Sequence, residues 1–203
     1  MSSLVSLFLE NLQAAFSPKD SFSNMKPTSI SVEKMIIYIV ALGLIPGLGS
    51  ALHYGYLDLS PSEEFLRENY YDNIEEFRDY QVLELKIAFY SILIAIGTIL
   101  VQREGVALAV RKEKPEVTKD QITQVILAGI TFPYIIGFTL VIGQIGYLFL
   151  AIASLYGLYL LYNGFLYFVK TGKELAFKAT GLFFIFGAGI GIIIRAVITL
   201  SYL

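Results

Sequence analysis

Apolar positions in this chain run in long, nearly unbroken stretches. Five of them, Met35–Leu57, Val82–Gln102, Ile122–Ile142, Ile145–Val169 and Phe177–Leu200, are long enough to cross a membrane. A helix needs about 20 residues to traverse a hydrocarbon core roughly 30 Å thick. Backbone polar groups find no partner in lipid, so each stretch is expected to be a helix. The short alternating segments of barrel strands are absent from the pattern. Between the third and fourth stretches only the short Gly143–Gly146 turn remains, which predicts a tight antiparallel hairpin.

Two further segments carry apolar residues at helical spacing without the length or apolarity to span. Leu4, Val5, Phe8, Leu12, Ala15 and Phe16 fall on one side of a short N-terminal helix, with Glu10, Asn11 and Gln13 opposite. This pattern predicts an amphipathic helix on the cytoplasmic surface, the alternative being a helix packed against the rest of the protein. Ser17-Pro18 is expected to end it, leaving a polar connector over 19–31. Between the first two spans, Ser60-Pro61-Ser62-Glu63 reads as a helix start. Phe65, Leu66, Tyr70, Ile74 and Phe77 then form a stripe in an acidic amphipathic segment, 58–81, that leads into the second span. A solvated face is the default for its acidic run.

The expected fold class is therefore an all-α membrane protein. It has five transmembrane helices and two interfacial amphipathic helices in one domain, with residues 1–34 preceding the first span. Composition agrees: 203 residues with 16% charged and a mean hydropathy of +0.66 are too apolar for an ordinary soluble domain. Charge placement adds orientation. Lys19, Lys26 and Lys34 precede the first span, Arg103, Arg111, Lys112, Lys114 and Lys119 follow the second, and Lys170, Lys173 and Lys178 precede or open the fifth. The segment between spans one and two carries only Arg67 and Arg78 against eight carboxylates. The positive-inside rule then places the N-terminus in the cytoplasm and the C-terminus outside. With no Trp in the chain, Tyr38, Tyr54, Tyr56, Tyr80, Tyr147, Tyr167 and Tyr202 are expected to form the interfacial belt.

The basic segment 103–121 is expected to be a solvated linker touching anionic headgroups, because Lys114-Pro115 breaks a helix there. Pro133 predicts a kink in the third span, and Gly43-Leu44-Ile45-Pro46-Gly47 a kink or break in the first.

Chemistry-bearing groups are few. The chain has no Cys and a single His, so thiolate chemistry is excluded, and neither a metal site nor a Ser–His pair is expected. No cofactor and no nucleic acid is expected. Ionisable residues within spans usually mark function, and Glu84, Arg195 and His53 fall at similar depth near the outer side. They form a candidate intramembrane contact, against which stands snorkelling of each to the interface. Small residues four apart, Gly43 with Gly47, Ala153 with Gly157 and Gly187 with Gly191, are candidate helix-packing or oligomer faces, with packing inside one bundle as the default. Thr131, Tyr159 and Asn163 are the candidate lining of a cavity.

The second half of the chain resembles the Yip family of five-span membrane proteins, named for interaction with Ypt/Rab GTPases. The residues that carry the likeness are Phe132-Pro133-Tyr134, the run Tyr156-Gly157-Leu158-Tyr159-Leu160-Leu161-Tyr162-Asn163-Gly164-Phe165, and Lys178-Ala179. The start of the chain, with Ser17-Pro18 and Phe22, is similar to the shorter, prokaryotic-type members. The resemblance implies the same orientation as the loop charges and a non-enzymatic role in organising membrane or binding membrane protein partners. The expected partners are the lipid bilayer and a membrane protein or a second copy of the chain. The expected location is the prokaryotic cytoplasmic membrane, which abundant Ile, Lys and Glu with no Cys or Trp would suit. A small-solute transporter or channel, and an accessory subunit of a larger membrane complex, are the alternatives.

Overall fold

Long apolar runs close their backbone hydrogen bonds within the segment, and a computed structural model of the chain is accordingly helical. The structure describes the backbone of residues 4–52 and 74–201, and the side chains of 4–49, 92–143, 145–190 and 192–193. Seven helices follow one another among the described residues: α1 (Leu4–Phe16), α2 (Pro18–Asn24), α3 (Val32–Leu52), α4 (Ile74–Glu113), α5 (Lys119–Ile136), α6 (Gln144–Asn163) and α7 (Lys173–Ser201). A 3₁₀ extension, Gly137–Ile142, follows α5, and a π turn, Gly164–Phe168, follows α6. No strand occurs among the described residues.

Four apolar stretches within these helices have the length to cross a membrane: Val32–Gly49, Ile92–Glu113, Lys119–Ile142 and Ile145–Phe168. The α7 helix is 29 residues long and covers the fifth predicted stretch. The start of α3, the end of α4, the start of α5, the end of α6 with its π turn and the start of α7 meet at one end of the bundle. Arg111, Lys112, Lys114, Lys119, Lys170 and Lys173 gather there, and this is called the basic end below.

Several expectations are corrected. Helix α4 does not stop at Gln102 but runs to Glu113, so the predicted linker shrinks to residues 114–118. Ile99, Val106, Ala107 and Val110 are buried at helical spacing, and that apolar stripe continues the helix past the charges. Lys114-Pro115 then ends it, as the sequence predicts. Helix α3 runs on through Pro46 as a single helix, without the predicted break, although Pro46 itself donates no hydrogen bond. Helix α5 likewise continues through Pro133 and tightens only from Gly137 onward. Residues 74–81 are helical and continuous with α4, while the rest of the acidic segment and residues 53–57 of the first predicted span lie outside the described residues.

The hairpin between α5 and α6 is as tight as predicted. Gly143 has a φ of 65°, in the left-handed region, and its N–H reaches back to Leu140 O while its own carbonyl accepts from Gly146 N. The same hairpin brings backbone close to backbone, since a Cβ on Gly157 would stand 2.6 Å from Gly129 O. At the other end of α3, a Cβ on Gly49 would lie 2.6 Å from Phe138 O, so α3 packs directly on the 3₁₀ extension.

Candidate functional site

The first surprise of the bundle is α1. It does not lie on the surface as the sequence pattern favours. It packs on α5, so the alternative, a helix docked on the protein itself, is the one realised. Leu7, Asn11, Ala14 and Ala15 are buried, and Asn11, expected on the polar side, is fully enclosed. Its Nδ2 donates to Tyr38 Oη at 2.9 Å, Tyr38 Oη lies 2.7 Å from Thr131 Oγ1, and Thr131 Oγ1 donates to Leu127 O at 2.6 Å. Because the Thr131 proton goes to Leu127, the Tyr38 hydroxyl donates to Thr131, and a directed chain of hydrogen bonds links α1, α3 and α5. Tyr156 Oη on α6 adds a bond to Ala15 O at 2.7 Å. Asn11 Oδ1 is buried and has no partner.

Depth follows from helix geometry. Thr131 is twelve residues along α5 from Lys119, about 18 Å from the basic end at 1.5 Å per residue. Tyr38 is six residues along α3 from Val32, about 9 Å deep. Thus α1 sits among the spans in the half of the bundle nearer the basic end. Its remaining surface is split in two: Val5, Leu9 and Phe16 form an outward apolar stripe, 66%, 57% and 76% exposed, beside Glu10 and Gln13.

Pro18, at the first helical position, starts α2 at once, so the expected connector shortens to residues 25–31. Phe22 is fully buried against Gly164, and Gln124 clamps the connector, its Oε1 accepting from Thr28 N at 2.9 Å and its Nε2 donating to Lys26 O at 3.1 Å. Two more polar side chains are enclosed near this end. Gln102 donates to Phe183 O at 2.8 Å across the α4–α7 contact, and Arg103 Nε donates to Thr123 Oγ1 at 2.8 Å. Arg103 also lies 3.4 Å from Glu104, which accepts from Lys119 at 2.6 Å. Sequence reasoning did not single out Asn11, Gln102, Arg103 or Gln124. The available signal was polar residues recurring at the phase of buried neighbours.

The named candidates are dispersed. Thr131 belongs to the buried chain just described. Tyr159 is half-exposed and, with Tyr162, Phe177 and Phe184, lines an apolar groove of about 440 Å³ between α6 and α7. Asn163 is buried and bonds to Tyr159 O within its own helix, at 2.7 Å. Thr131 and Asn163 do not line that groove. Tyr38 is enclosed rather than part of an interfacial belt.

Of the small-residue faces, Ala153 is buried, Gly157 meets Gly129 within the bundle, and Gly187 makes room for Gln102. Among the described residues, Gly43 has only Ile92 nearby, and Gly47 has nothing within 4 Å of where a Cβ would stand. The side chain of Glu84, that of Arg195, all of His53 and the surroundings of Gly191 lie outside the described residues. Among the described residues no cluster of His, Asp or Glu is placed to hold a metal ion.

The two stretches that carry the family likeness pack on each other. The rings of Phe132 and Tyr156 meet edge to face at 5.3 Å, and Pro133 sits beside Gly157. Comparison with protein-family models, curated proteins and solved structures finds no match to the chain.

Proposed function

We propose that this is a non-enzymatic, five-span integral membrane protein that organises its membrane through a helix inserted into one leaflet. In this reading α7 is the fifth span, the basic end faces the cytoplasm and the C-terminus lies outside, as the loop charges and the Yip resemblance both imply. One observation supports the proposal: α1 is tied to α3, α5 and α6 through Asn11, Tyr38, Thr131 and Tyr156, with Val5, Leu9 and Phe16 exposed on its outer side. The 13 residues of α1 add about 20 Å of helix to that leaflet and nothing to the other. A protein wider in one leaflet packs best where that leaflet is less crowded, so its distribution follows curvature. A membrane protein partner is the natural reader of the same outward stripe.

The test is reconstitution of the full chain into small and large vesicles of one lipid composition. The protein is expected to concentrate in the class whose curvature relieves its wider leaflet, and a Leu9→Glu, Phe16→Glu variant to distribute evenly. Equal density of the unaltered chain in both classes rejects the curvature reading.

A further inference from the structure

Three cations at the basic end of the bundle are engaged. Lys119 pairs with Glu104, Lys178 with Glu113, and Lys114 with Glu116 and the Lys170 carbonyl. Arg111 and Lys112, in the last turn of α4, have no carboxylate within ion-pair distance among the described residues. Together with Lys119 they line a cleft of about 290 Å³ whose other walls are Ala107, Leu108 and Pro115. One side of this cleft is cationic and the other apolar.

The apolar side continues along the helix. Leu108 is 74% exposed, and Val101, two turns deeper on the same face of α4, is 49% exposed, with Glu104, neutralised by Lys119 and Arg103, between them. A charged pocket opening onto a hydrocarbon track has the form of an amphiphile with an anionic head. Basic pockets between helices at headgroup level favour anionic lipids, while isolated surface lysines give only a diffuse attraction.

The geometry points to a binding site for the phosphate of an anionic phospholipid, held by the unpaired Arg111 and Lys112 beside the Glu104-paired Lys119, with an acyl chain along Leu108 and Val101. The inference rests on the membrane reading above only in placing this end of the bundle at headgroup level.

The full chain in neutral detergent, mixed with phosphatidylglycerol or phosphatidylcholine, provides the test, with native mass spectrometry counting retained lipid. Phosphatidylglycerol is expected to be retained selectively. An Arg111→Gln, Lys112→Gln variant is expected to lose that affinity roughly thirty-fold, from two surface cations removed. A Lys19→Gln, Lys34→Gln variant, which removes the same charge elsewhere, should retain it. Leu108→Asn should weaken lipid retention while leaving the cations in place, and glycerol phosphate should fail to displace the lipid. Equal retention of the two lipids overturns the proposal, and so does an equal loss in both double variants. Displacement by glycerol phosphate, with no effect of Leu108→Asn, would make the cleft a site for a soluble phosphate instead. The assay depends on neither orientation nor curvature, so its failure and a failure of vesicle sorting are separable.

Discussion

The polar chain from Asn11 through Tyr38 to Thr131 is a high-stakes arrangement, because each member lies in apolar surroundings where an unpaired group is expensive. Removing one link leaves its neighbours stranded, whereas removing matched partners together does not. Tyr38→Phe is expected to lower stability by about 1–2 kcal/mol and to speed amide exchange in α1. Thermal unfolding in detergent and hydrogen exchange would measure both. Combined with Asn11→Leu, which also removes the orphaned Oδ1, the same substitution should be close to neutral. A double variant no better than Tyr38→Phe alone would show that the chain is incidental to the docking of α1. None of this was legible in the pattern of residues. Asn11 falls on the polar side of that pattern because polarity alone cannot distinguish a solvated amide from an enclosed one with a tyrosine partner.

Helices associate in lipid by close packing rather than by expulsion of apolar surface, so element-level energetics concentrate at small residues. The α5–α6 crossing is the clearest case. A side chain at Gly157 would run into Gly129 O and Pro133, and backbone atoms cannot move aside as a flexible side chain can. Gly157→Leu is expected to destabilise the fold by about 2–3 kcal/mol or more, in the range of overpacked cores. Gly47 is the counter-example, with no described residue against it; Gly47→Ala should be neutral or stabilise by up to about 1 kcal/mol through helix propensity. Comparative melting of the two variants tests the assignment, and a loss at Gly47 as large as that at Gly157 would place a packing partner on α3. Both glycines sit in stripes of the same spacing, so the sequence alone could not rank them. What decides is which element lies opposite, a tertiary fact.

At the level of the whole molecule, the apolar runs were legible because lipid imposes a length and a composition that few soluble helices satisfy. Helix ends were less so. The basic residues after Gln102 read as a loop, yet Val106, Ala107 and Val110 carry the helix onward to Glu113. The orientation is open to direct measurement, since the chain has no cysteine of its own to confuse labelling. Ile142→Cys at the hairpin should react with a membrane-impermeant maleimide from outside intact cells, and Lys173→Cys only after the membrane is opened. The reverse pattern would invert the topology and move α1 and the basic cleft to the other leaflet.

The bond between Tyr156 and Ala15 joins residues 141 positions apart. Helix α1 therefore emerges well before α6, which supplies part of its seat. At about 5–20 residues per second the interval is roughly 7 to 30 seconds. Throughout it, Leu7, Asn11, Ala14 and Ala15 have no complete surface to close against, so the seat of α1 is finished only once α6 has joined α5.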